Sequence, residues 1–216
     1  MKLPKMSMVL LSLAAAFPTH AQEYMFTYSK LYTQMKNNAK EGHDDVRLGI
    51  FFVNAATKKL CPIEKAWMEK EEHYEEFDTS GFELKVPLDN NLKSANPLVF
   101  VQTERDTRCD FSMVVMANEQ LHGEVAYRDI EKLLPQMQAM LEDLGGMFAS
   151  WFTPDVEGVT LEFANDYNGK INASNGEVFV IENGRAYVEL AKLAPNASIR
   201  LPEATTRVLP WLPKAD

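Results

Sequence analysis

Once the first 21 residues are set aside, the chain holds three histidines, His43, His73 and His122, and any imidazole chemistry must use one of them. Nucleophilic catalysis would pair such a base with a hydroxyl or thiol, yet the chain has no G-x-S-x-G elbow and no S-x-x-K pair. Histidines this widely spread are more often solvated or satisfied than catalytic. Glu69, Glu72, His73 and Glu76 have metal-ligand chemistry and would share one face of a helix. They lack the H-E-x-x-H order, and Lys65 and Lys70 make ordinary ion pairs the better account. Residues 166–177 (DYNGKINASNGE) place oxygen ligands at positions 1, 3, 7, 9 and 12 of a calcium loop. Lys170 stands at position 5 and Ile171 where the sharp turn needs glycine, so two tight turns explain the stretch better. No phosphate-cradling glycine motif occurs. The expectation is no metal and no cofactor.

The two cysteines, Cys61 and Cys109, carry the clearest covalent chemistry. A metal pair or two free thiols are the rival readings. With no histidine close to either, they make a poor zinc site, and a disulfide is expected if the chain is exported. Export is what the beginning implies. Lys2 and Lys5 precede an apolar run from Met6 to Phe17, and small residues, Thr19 and Ala21, sit three and one before a cut ahead of Gln22. That is a Sec-type signal peptide over 1–21, too short to span a bilayer. No cysteine follows the run, so a lipoprotein anchor is not expected. The formal net charge of −9 would repel phosphate backbones and anionic lipid, which disfavours nucleic acid as a partner.

The elements that must position these residues follow from periodicity. Residues 24–40 read as an amphipathic helix with Phe26, Leu31, Met35 and Ala39 near one face. Residues 46–55 are apolar on both faces, as in a central strand, and 59–63 make a short partner strand carrying Cys61. Residues 66–77 suit a helix or a long exposed strand, and the helix is favoured. Residues 82–88 alternate as a strand, and 98–103 with 109–117 read as a hairpin. Residues 129–144 form the strongest helix, with Asp129 as N-cap and Pro135 either kinking it or starting a second helix. Gly145-Gly146 then leads into an apolar stretch. Met137 and Met140 of the helix, with Met147, Phe148, Trp151 and Phe152 of that stretch, make a dense cluster that is core by default and otherwise a groove for a partner or lipid. Residues 159–163 alternate, and Asn-Gly pairs follow at Asn168, Asn175 and Asn183. The last of them joins 177–182 and 185–190 as a hairpin. The tail, with Pro202, Pro210, Trp211 and Pro213, packs extended across the body.

These readings give an α+β protein with antiparallel sheet, two main helices and one disulfide. Residues 22–216 form one domain, and the order of elements allows two lobes, 22–120 and 121–216. The run Phe26-Thr27-Tyr28-Ser29-Lys30-Leu31-Tyr32, then Cys61-Pro62-Ile63 with Ala66-Trp67-Met68, then Val86-Pro87-Leu88-Asp89, resembles an uncharacterised domain-of-unknown-function family of exported gammaproteobacterial proteins. The resemblance covers most of the chain after residue 21. It implies a periplasmic address and no established activity. The expected role is a non-enzymatic envelope protein that binds a protein or an apolar ligand. The alternative is a hydrolase acting on an envelope polymer through paired carboxylates, which needs no linear motif.

Overall fold

The computed structural model describes residues 21–79, 81–145 and 154–213. The first half runs β1 (Ala21–Thr27), α1 (Tyr28–Met35), a 3-10 turn (Lys36–Ala39), β2 (Val46–Asn54), β3 (Ile63–Lys70), β4 (His73–Glu76) and α2 (Asn90–Ala95). It continues with β5 (Leu98–Arg105), β6 (Cys109–Ala117) and β7 (Glu124–Ala126). Then come α3 (Tyr127–Glu131), α4 (Leu133–Gly145), β8 (Gly158–Glu162), β9 (Gly169–Ala173), β10 (Val178–Ile181), β11 (Arg185–Glu189), β12 (Ser198–Arg200) and β13 (Arg207–Trp211). Every strand pairing among the described residues is antiparallel, in four sheets ordered β1-β5-β3-β4, β2-β6, β10-β9-β12-β7 and β11-β8-β13. The fold is α+β, with α1 and α4 as its two main helices.

Several local expectations change. Residues 24–40 begin as a strand, because Tyr24 and Phe26 are half-buried while Glu23 and Met25 are exposed, a period of two that ends where α1 starts. Tyr28 opens that helix fully buried; its hydroxyl donates to the Pro87 carbonyl at 2.6 Å and accepts from the Asp89 N–H at 2.9 Å. Residues 66–77 form the β3–β4 hairpin and not a helix. Ala66 and Met68 point inward, and Glu71 turns the chain at φ +55°. The expected hairpin of 98–103 with 109–117 does not form: β5 lies between β1 and β3, whereas β6 pairs along its whole length with β2. Residues 82–88 do not form the expected strand: Leu84 and Val86 are buried but Phe82 and Leu88 are exposed, and the backbone pairs with β2 at the Phe51–Glu83 bridge alone. Residues 59–63 likewise reduce to a Val53–Leu60 bridge just before Cys61.

The long helix divides at Lys132. Pro135 falls in the first turn of α4, where its missing N–H costs nothing. Ala126, not Asp129, is the N-cap; the Asp129 carboxylate reaches back to the Ala126 N–H at 3.1 Å. In α4, Met137 and Met140 are fully buried among the core residues Ile130 and Leu133. The Asn183-Gly184 turn forms as expected, with both residues at positive φ, and Glu182 and Arg185 exchange backbone hydrogen bonds of 2.9 and 3.0 Å. Past that pair the strands part: β10 joins β9 and β11 joins β8.

Cys61 and Cys109 are joined, with Cα atoms 6.3 Å apart. The bond ties the chain entering β3 to the first residue of β6. Around it, Cys61 N–H bonds to the Phe52 carbonyl at 2.8 Å, and Cys109 N–H to the Gln22 side chain at 3.0 Å.

Candidate functional site

A groove of about 1130 Å³ opens between the two halves of the chain. Its first wall comes from β2, whose even-numbered residues Leu48, Ile50 and Phe52 enter the core while Arg47 and Phe51 face the groove. Gly49 lies between these two. A Cβ there would stand 2.6 Å from the Phe51 ring and 3.1 Å from Glu83 Oε1. The missing side chain lets the ring lie flat along the strand and lets Glu83 take both Nη groups of Arg47, one of them at 2.9 Å.

The second wall is the β11-β8-β13 sheet, and its register explains the floor. Glu162, the last residue of β8, stands directly opposite Arg185 on β11 and Arg207 on β13. Arg185 Nε donates to Oε1 at 2.9 Å, and Arg207 donates through Nε at 2.6 Å and through Nη2 to Oε2. The Arg207 guanidinium also lies 5.0 Å over the ring of Phe51, which joins the two walls. Two cations thus share one buried carboxylate, and the row keeps one positive charge in surplus. Arg207 is nearly enclosed, while the Arg185 side chain is 44% exposed.

Above this floor exposed apolar side chains stand among charged ones such as Lys58, Lys85, Glu177 and Glu182. Phe82, Val178, Val180 and Tyr187 line the groove at 45–54% exposure. They are half of the large apolar side chains exposed among the described residues. Met25, Tyr74 and Leu98 form a second exposed group on the first sheet, and none of them lines the groove.

The described lining of the groove contains no histidine, serine or cysteine. The carboxyls held clearly below the usual aspartate or glutamate range are Asp45, Glu76 and Asp143. A hydrogen bond leads in each case, from Gln136, Tyr74 and Lys40 respectively. None of the three lines the groove.

The residues singled out by sequence fall elsewhere. His43 is buried with Nε2 3.2 Å from Asp143 Oδ2, and its Nδ1 has no partner among the described residues. His73 stands exposed on β4 and His122 exposed before β7. Glu69, Glu72, His73 and Glu76 lie along a hairpin, where Trp67 faces Glu76 and Lys70 faces His73, so they share no helix face. Asp166 pairs with Lys59, and 169–173 run as β9, so 166–177 do not wrap a single point. Among the described residues no group of three His, Cys, Asp or Glu side chains is placed to hold a metal ion. Met137 and Met140 are core; Met147, Phe148, Trp151 and Phe152 lie outside the described residues. Sequence reasoning passed over Glu162, whose signal was a lone acid ending the apolar run Gly158–Glu162.

No helix among the described residues is long and apolar enough to cross a membrane. No curated protein matches the chain, and no solved structure matches it. Residues 20–163, well over half of the chain, match the model of the family described as protein of unknown function (DUF2987), which takes in Glu162 and stops short of Arg185 and Arg207; the chain belongs to that family.

Proposed function

We propose that this chain is a non-enzymatic envelope protein whose groove binds a protein segment or an apolar ligand. The observation that carries the reading is the cluster of Phe82, Val178, Val180 and Tyr187, left open to solvent in one concavity above a charged floor. Ligand sites place apolar side chains beside convergent polar groups, and here charged residues line the groove alongside these four. Glu162 already has two guanidiniums, so it is occupied as a structural anion and is badly placed to act as a free acid. The hydrolase reading therefore draws less support than the binder.

The proposed address is the periplasm of a Gram-negative bacterium. The basic start, the short apolar run and the small residues before Gln22 support export and cleavage. The Cys61–Cys109 bond fits an oxidising compartment. The acidic net charge argues against nucleic acid as the partner.

The test is 1-anilinonaphthalene-8-sulfonate, an anionic apolar probe of suitable size. Its fluorescence should rise on the folded protein, and the Val180→Ser/Tyr187→Ser double variant should lose most of that rise with its melting temperature unchanged. Equal fluorescence from the folded variant would remove the groove as the binding site.

A further inference from the structure

We infer that the groove's ligand is an extended polypeptide, which adds as a strand to the open edge of β10 and sets a carboxylate on Arg185. This deepens the proposed function and rests on it.

The first ground is a row of backbone groups without partners. In the β9–β10 ladder the Ala173 N–H donates to the Glu177 carbonyl at 2.9 Å. The register then makes 177, 179 and 181 the residues that bond to β9, because hydrogen-bonded positions alternate along an antiparallel pair. Val178 and Val180 turn their N–H and C=O groups to the other edge, where β10 ends its sheet. The same parity holds across the turn. Phe163 N–H donates to the Gly184 carbonyl at 2.8 Å, so Tyr187 directs its backbone away from β8. Beyond the Glu182–Arg185 exchange no backbone bond joins β10 to β11. The peptide groups of Val178, Val180 and Tyr187 have no partner among the described residues, and all three residues line the groove. An apolar small molecule offers such an edge nothing, whereas a second strand supplies both donors and acceptors.

The second ground is charge. Arg185 spends Nε on Glu162, and its two Nη groups meet no acceptor among the described residues. Glu177, Glu182 and Glu189 line the same wall, so the groove is not positive as a whole; the local ground is the pair of free Arg185 Nη groups, which would take a ligand carboxylate in the bidentate manner that guanidinium favours. The alternating apolar side chains of an added strand would lie against Val178, Val180 and Phe82.

An array of ten-residue peptides tests this, each alternating Val or Phe with Thr, carrying one Glu, and placed beside its Gln counterpart. Glu peptides should bind and their Gln counterparts should bind about tenfold more weakly, the loss of one charge-assisted hydrogen bond. Val180→Pro removes only an outward N–H, which an edge strand tolerates, so it should fold and lose peptide binding. Arg185→Gln should keep binding while abolishing the Glu preference. Undiminished binding to folded V180P, or no Glu preference in the wild type, overturns the inference. Displacement of the anilinonaphthalene probe by palmitate with no peptide bound would also overturn it while leaving the groove reading intact. Loss of the groove reading itself shows separately, as unchanged probe fluorescence in the serine double variant.

Discussion

Arg207 and Glu162 face each other directly across β13 and β8, and the guanidinium that closes on the carboxylate also covers the ring of Phe51. One contact therefore holds the C-terminal sheet, the floor of the groove and the β2 wall together. Glu162→Gln would leave two guanidiniums facing a neutral amide in a buried place. Breaking such a pair from one side costs about 3–5 kcal/mol. Arg185→Gln should cost less than about 1 kcal/mol, because its partner keeps Arg207 and the side chain is half in water. Urea unfolding of the two variants checks the order, and a Glu162→Gln protein as stable as wild type would refute the anchoring role.

The Cys61–Cys109 bond closes a loop of 48 residues. On the chain-entropy account a loop of this length stabilises by about 4 kcal/mol. The Cys61→Ala/Cys109→Ala variant should lose that much in denaturant melts and gain nothing from a reductant, while wild type is weakened by it. Intact protein should weigh two hydrogens less than its reduced form.

What the sequence disclosed depended on how local the determining contact was. The disulfide, α4 and the Asn183-Gly184 turn rest on composition or on neighbours a few residues apart, and they were legible. β3–β4 was not, since Trp67 and Glu76 share a charged, mixed pattern that fits both periods until tertiary pairing chooses one. The pairing of β5 and β6 with different partners is a choice between distant strands, which turn signals at 105–108 cannot reveal. The groove was hidden for the same reason. Its floor joins Glu162, Arg185 and Arg207 from three strands, and only the register shows that two arginines oppose one acid.

Acid should loosen α4 from the chain ahead of β2. Asp143 accepts from Lys40 and lies against His43, and Asp45 accepts from Gln136 and Lys132. Both carboxyls are held below the ordinary value of 3.8, by the Lys40 and Gln136 hydrogen bonds first. A depressed native pKa adds stability that is complete above the unfolded value and is lost as pH falls through the folded one. Melting temperature should therefore fall more steeply below about pH 4 in wild type than in Asp45→Asn/Asp143→Asn. Parallel acid limbs in the two proteins would dismiss these contacts as the cause.

Met137 separates core packing from ligand binding. Its side chain is fully buried in α4 and does not line the groove. Truncation to alanine should cost about 2–5 kcal/mol, the usual loss for a large buried side chain that leaves a cavity. Below its own melting temperature, the variant should still raise anilinonaphthalene fluorescence as wild type does, because Phe82, Val178, Val180 and Tyr187 are untouched. Trp151→Ala, in the neighbouring apolar stretch, belongs in the same experiment. If that variant melts like wild type yet loses the fluorescence gain, the binding surface moves from the groove to the methionine and aromatic cluster that follows α4.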